Sequence, residues 1–372
     1  MELFTLNRQF IEQDVIDKFV SAIWTERYYG DSEVELIVPA TSDMVQKLTV
    51  GTFLGLVGSG EIMLIDTVDI EAGTVKATGS SLMVFLNNRF IRITPAHEDR
   101  YWYMSGLTPG MTMWYIVYYM CIGGGYLDGS VPTGIPNPAS LIIPGLYGKS
   151  IDNAGAAISY AAPYGPVYDA LREIGTTYQV GMQITLDSVT DTSYALGFRC
   201  YRGLDRTSGQ SVNTVIRFSP QMDSLANIKE LQSNKSQKTL VYSFAPGNPD
   251  GLATSAGVSS LAGAQYTGFD LRAMLTFEED ITTDQVGGSQ ANLVSILNSR
   301  ANLALTDNRF QRAIDGEIVP LHQFQYGVDY NLGDVIEVQG NSEIVQTSMV
   351  TEYIRAQDNA GEKAYPTVAM LG

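Results

Sequence analysis

The feature that most constrains this chain is a stretch that occurs twice. "VGTFLGLVGSGEIM", residues 50 to 63, and "LGDVIEVQGNSEIV", residues 332 to 345, align Gly51 with Gly333, Gly58 with Gly340, Glu61 with Glu343 and Ile62 with Ile344. In the same alignment Phe53, Leu54 and Leu56 face Val335, Ile336 and Val338. Each copy reads as strand, glycine-containing turn, strand. Two unrelated hairpins with similar turn chemistry would match this way, and so would a β unit that was duplicated. Later turns, "EAG" at 71 to 73 and "NAG" at 359 to 361, extend the match across a longer interval in the second copy. This favours two related β regions bracketing the rest of the chain.

Composition limits what lies between them. A chain of 372 residues exceeds one ordinary core and implies about two to four domains. With 45% hydrophobic residues, 17% charged, 36 Gly and 21 Tyr, it reads as globular and β-rich. The net charge is −17, and the Lys and Arg residues form no run, which excludes a protein that grips phosphate or nucleic acid. Cys121 and Cys200 alone exclude a disulfide framework and read as buried thiols. "MELFTLNRQF" lacks the basic start and apolar core of a signal peptide. The most apolar run, "MTMWYIVYYMCI", has 12 residues where a membrane span needs roughly 20, so it reads as a buried helix or strand pair.

Periodicity then divides the chain. Residues 1–94 show short alternating strands with tight turns and no crossover helix, as in a first small β-barrel. Residues 95–211 form a Gly- and Tyr-rich connector and an α+β module. Within it "GPVYDALREIG" predicts a helix ending at Gly175, and "YQVGMQITLD" with "SYALGFRCY" predicts a hairpin. Residues 212–245 with 317–372 form a second β-barrel, interrupted by an α/β insertion at 246–316. That insertion carries a helix near 291–305, whose buried face is Leu293, Ile296, Leu297, Ala301, Ala304 and Leu305. The fold class is α+β and β-rich, with two related small β-barrels and inserted α/β modules.

Few residues invite chemistry. "GLYGKS" at 145 to 150 lacks the Gly at 143 that a phosphate loop requires, since Ile143 stands there. His97 and His322 are too few for a histidine-rich zinc centre, and no nucleophile motif surrounds Cys121 or Cys200. Glu278, Glu279, Asp280 and Asp284 cluster, and glycoside hydrolysis uses paired carboxylates, but adjacent carboxylates do not face each other across a substrate. A solvated acidic edge is the simpler reading, as it is for "DNAGE" near the C-terminus as a calcium site. No catalytic residue, cofactor or metal is expected.

Three stretches carry a resemblance: "IWTERYYGDSEVELIVPA", "YRGLDRT" at 201 to 207 and "YGVDYNLGDVIEV" at 326 to 338. Together they resemble the tail-tip, or baseplate, hub proteins of long-tailed bacteriophages, over the first hundred residues and about 166 to 372. The resemblance implies a structural virion protein at the tail tip. It would be a homotrimer whose two barrels per chain make a pseudo-sixfold ring, joined to the distal tail protein ring. Its other neighbours would be a tape-measure protein and tip, fibre or receptor-binding proteins, with DNA passing through unbound. It also implies that Gly51 and Gly333 begin equivalent strands, and that Asp205 and Arg206 form a local ion pair or turn near the strand starting at Asp334. The rival readings are a tail-associated cell-wall glycan hydrolase acting through carboxylates around Glu278, and a glycan-binding β module using aromatics at 101 to 118.

Overall fold

The computed structural model describes residues 1–91, 101–122, 141–149, 151–190, 193–245, 258–263, 266–278, 281, 290–318, 323–341 and 345–371. The first region runs β1 (Leu3–Leu6), β2 (Glu12–Ile16), β3 (Ser21–Arg27), β4 (Glu33–Pro39), α1 (Ser42–Lys47), β5 (Phe53–Leu56), β6 (Ile62–Glu71), β7 (Thr74–Ser81) and α2 (Val84–Asn87). Alternation does what the sequence requires of half-buried strands: in β4 Val34, Leu36 and Val38 turn inward while Glu33 and Glu35 turn outward. They meet Trp24, Leu54, Met63, Ile65 and Val75 in one core.

The middle region contains β8 (Tyr101–Leu107), α3 (Pro109–Val117), β9 (Leu146–Gly148), β10 (Ile158–Pro163), α4 (Val167–Tyr178), β11 (Gly181–Thr190) and β12 (Ser193–Tyr201). The apolar run at 111 to 122 is a helix: Thr108 caps α3 by accepting from Met111 N, Pro109 occupies its first turn, and a π-helical turn, Tyr118–Ile122, continues it. Met113, Ile116, Val117 and Met120 pack with Trp102, Leu171 and Phe198, so much of the aromatic stretch proposed for sugar stacking belongs to a core. The helix expected to stop at Gly175 continues to Tyr178, where Gln179 takes the left-handed conformation at φ 57°. Gly175 instead allows a close approach, since a Cβ there would lie 2.7 Å from Val180 O.

The last region runs β13 (Arg217–Phe218), β14 (Leu225–Ser233), β15 (Leu240–Ala245), β16 (Val258–Ala262), β17 (Ala273–Phe277), α5 (Gln290–Asp307), β18 (Gln311–Ile318), β19 (Val335–Gln339), β20 (Val345–Asp358) and β21 (Gly361–Met370). β15 is the centre of a three-stranded sheet with β16 and β17, so Leu240–Ala245 lies with the insertion and not with the second β region. α5 covers one face of that sheet through Leu293, Ile296, Leu297 and Ala301, while Leu275 and Phe277 stay exposed. Lys238 N donates to Asn308 O at 2.6 Å, tying the insertion's entry to its exit.

The two expected closed barrels are not found among the described residues. The first and last regions instead share one eleven-stranded sheet in the order β13-β19-β20-β3-β4-β7-β6-β5-β1-β2, with β21 also on β20. The reason is that β3 uses one edge for β4 and the other for β20, leaving no edge with which to close on its own unit. The fully buried Leu36 makes a local test: Leu36→Ala should lower stability by about 2–5 kcal/mol in urea unfolding. Val50→Ala, at 66% exposure, should change it by less than about 0.5 kcal/mol.

Candidate functional site at the joint between the repeats

The two copies of the repeat share a hydrogen-bond pattern. Gly51 N donates to Ile65 O at 2.8 Å and Ile65 N to Thr52 O at 2.9 Å; Gly333 N donates to Val350 O at 2.7 Å and Val350 N to Asp334 O at 3.0 Å. Both glycines are left-handed, at φ 89° and 84°. A register shift follows each pairing, between Ile65 and Thr67 against β7 and between Val350 and Glu352 against β21. Hence β5, β6 and β7 correspond to β19, β20 and β21. Gly58 is left-handed at φ 82°, whereas Gly340 is not, and a Cβ there would meet only the movable end of the Glu230 side chain. Ile62 and Glu61 are buried; Glu343 and Ile344 lie outside the described residues.

The units are joined where β3 runs antiparallel to β20, from Arg27 opposite Glu352 to Ser21 opposite Asp358. Tyr28 N extends the ladder by donating to Thr351 O at 2.8 Å. Two ion pairs flank it, Arg27 with Glu352 at 2.8 Å and Arg355 with Glu26 at 3.3 Å.

The three stretches that carried the resemblance meet at this joint. Asp334, only 2% exposed, accepts from Leu204 N at 2.7 Å, Arg206 Nε at 2.6 Å and Asn331 N at 3.0 Å. Arg206 therefore pairs with Asp334 and not with Asp205, whose carboxylate accepts from Thr207 N at 2.9 Å to form a turn. Arg206 N and Val335 O, with Val335 N and Leu204 O, close the backbone contact. Side chains are excluded here: a Cβ on Gly203 would lie 2.0 Å from Gly333 C, and one on Gly333 2.3 Å from the Tyr28 ring. The Tyr28 hydroxyl donates to Tyr201 O at 3.0 Å. Burial pushes that phenol up to about 12.

A buried polar relay crosses the same junction. Gln183 donates to Glu61 at 2.9 Å and accepts from Arg199 at 2.5 Å, while Glu26 accepts from the Tyr326 hydroxyl at 2.8 Å. Burial, then the neighbouring Glu26 carboxylate, pushes Glu61 up to about 8. Glu337, in the middle of β19, goes the other way. Burial opposes its charge, but bonds from Ser208 and a forked contact from Arg217 at 2.8 and 2.6 Å outweigh that and hold it below the usual carboxylate range.

Nothing in this arrangement presents a reacting group. The adjoining cavity of about 330 Å³ is lined by Arg199 and Arg202 among others, and these are engaged by Gln183 and Asp152. Lys149 of "GLYGKS" pairs with Asp187 at 2.7 Å. Both cysteines are buried, and burial pushes the Cys200 thiol up. No cluster of three or more His, Cys, Asp or Glu suits a metal among the described residues. His97, His322, Glu279, Asp280 and Asp284 lie outside them, and Glu278 follows directly on β17 with its N donating to Phe244 O. Sequence reasoning missed Tyr28, Glu26, Glu337 and Arg355; the one signal available was that Tyr28 and Glu26 lie within "TERYYG" and Glu337 within "DVIEV".

Two variants test the joint. Asp334→Ala removes the buried partner of the half-buried Arg206 guanidinium and the acceptor for Leu204 N and Asn331 N, and should cost about 3–5 kcal/mol in urea unfolding. Glu61 has a folded-state value above the ordinary 4.5, so its contribution is fully present below pH 4.5 and lost as pH rises through about 8. Glu61→Gln mimics the protonated acid. It should gain stability relative to the natural protein as pH rises between those limits, in unfolding compared at pH 5 and pH 8.

Against known proteins, the chain resembles three solved structures over nearly its whole length. They are the 43 kDa tail protein of prophage MuSo2 from Shewanella oneidensis (TM-score 0.56, 11% identity, 100% of this chain and 98% of that one) and the tail protein from Neisseria meningitidis MC58 (0.54, 11%, 99% and 95%). The third is prophage tail protein gp18 from Listeria monocytogenes EGD-e (0.53, 9%, 100% and 95%). At such identity the likeness is one of fold. No curated protein matches. No helix among the described residues is long and apolar enough to cross a membrane. The family model described as Siphovirus ReqiPepy6 Gp37-like protein matches residues 1–368, and the chain belongs to that family of siphovirus tail proteins.

Proposed function

We propose that the chain is the structural hub at the distal end of a phage tail, three copies forming a ring of six similar β units around an axial passage. The observation that carries this is the joint itself: two equivalent β units in one chain meet head to tail through β3 and β20. A head-to-tail contact repeated around an axis gives a closed ring when the rotation closes. Three chains then present six similar surfaces, the number a sixfold distal tail ring would meet. The tape-measure protein would lie within that ring, and tip, fibre or receptor-binding proteins below it. The hub carries no bond chemistry, in keeping with a junction whose charged groups are spent on each other.

Purified chain and assembled tails should both contain three 40.6 kDa chains, by light scattering and by imaging of the tail tip. Cell-wall hydrolysis by the purified chain that disappears in Glu278→Gln would overturn the reading in favour of an enzyme. The net charge of −17 fits a wall that does not hold DNA, which carries one charge per about 1.7 Å of duplex. Carboxylates should therefore predominate on the axial surface, and lysines introduced there should slow genome release, most at low salt.

A further inference from the structure

The correspondence between the units extends beyond the repeated hairpins. In the first unit β3 and β4 precede β5, β6 and β7, pair antiparallel, and place β4 beside β7. In the second, β14 and β18 precede β19, β20 and β21, pair antiparallel, and place β18 against β21. β14 thus stands where β3 stands, with the inserted α/β module spliced between it and β18. Leu225 of β14 enters the second unit's core beside Val338, Met349 and Val350.

This correspondence says what is missing. β3 is occupied by β20, but β14, its counterpart, has only β18 as a strand partner among the described residues. β20 is occupied over 352–358 by β3, but the matching stretch of β6, 66–71, has only β7 as a strand partner among the described residues. The orientation of the backbone agrees. Two-residue turns close both hairpins, Glu71 opposite Thr74 and Asp358 opposite Gly361, so the flanking pairs are hydrogen-bonded. It follows that the backbone groups of Val68 and Ile70 point away from β7, as those of Tyr353 and Arg355 point away from β21 and toward β3. Asp66 likewise matches Thr351, whose carbonyl accepts from Tyr28 N.

The side chains on these edges are complementary. Ile70 is 55% exposed and Leu231 on β14 is 57% exposed. Asp66, Asp69 and Glu71 make the β6 edge acidic, while β14 and its following turn carry Lys229 and Lys235, with Glu230 turned to Gly340. Long open strand edges with exposed apolar residues invite pairing with another chain.

We infer that β14 of one chain adds antiparallel to residues 66–71 of β6 in a second copy, reproducing between chains the β3–β20 joint seen within one. The inference rests on the ring proposed above and names its contact. Each chain offers one edge of each kind, so the contact alternates with the internal joint around the ring.

The test uses the full chain. Ile70→Pro removes an outward N–H while leaving the β6–β7 ladder intact, and should raise the trimer's dissociation constant by at least about tenfold in light scattering across a concentration series. Independently, Ile70→Cys combined in turn with Lys229→Cys, Leu231→Cys or Ser233→Cys should give a covalent trimer on mild oxidation in at least one combination; the natural cysteines are buried. If the natural chain is trimeric, Ile70→Pro stays equally trimeric and no cysteine pair cross-links, the inference is overturned while the ring stands on another surface. A natural chain that is monomeric both in solution and in assembled tails overturns the ring and the inference together.

Discussion

Seven consecutive residue pairs between β3 and β20 hold together the two ends of the chain. Backbone pairing of this kind fixes register, because a slip by one residue would turn every side chain to the wrong face. Here the register places Arg27 against Glu352 and sets Arg355 to reach Glu26, so charge and ladder specify the same alignment. Asp334 then pins the linker through Leu204 and Arg206 to the start of β19. Without the β3–β20 ladder the carboxylates buried beneath it would face water, and their network would have no reason to form.

That network explains why so much charge can sit inside a protein with few basic residues. Several donors converge on Asp334 and on Glu337, including one arginine apiece, and those on Glu337 hold it below the usual carboxylate range against the opposing effect of burial. Glu61 is buried and lies near the Glu26 carboxylate, and so yields its proton less readily even though Gln183 donates to it. The junction is a set of groups whose needs are met by one another, which suits a load-carrying joint better than a site for a reactant.

The local features were readable. Gly51 and Gly333 announced equivalent turns, the stripe Leu293, Ile296, Leu297 and Ala301 announced a buried helical face, and alternation in "EVELIVP" announced a half-buried strand. The tail-hub resemblance lay in three stretches that turn out to touch. What could not be read was non-local. Nothing near Ser21 indicates that its partner is Asp358, and counting hairpins therefore suggested separate closed barrels instead of one sheet. The same limit misplaced Arg206: its nearest acid in sequence is Asp205, but a carboxylate 128 positions away has the better geometry. β15 was assigned by proximity in sequence to the second β region, although its partners lie on its far side.

The hydrogen bond from Lys238 N to Asn308 O has a different kind of consequence. A segment that leaves and re-enters its host at adjacent points changes little of the host's geometry, whatever its length. The α5 module is attached in this way. It is a cassette tied to its host at one point: a change in its length or in its outer strands leaves the strands on either side in place, while α5 stays packed on the middle region through Ala161 and the Arg300–Glu173 ion pair.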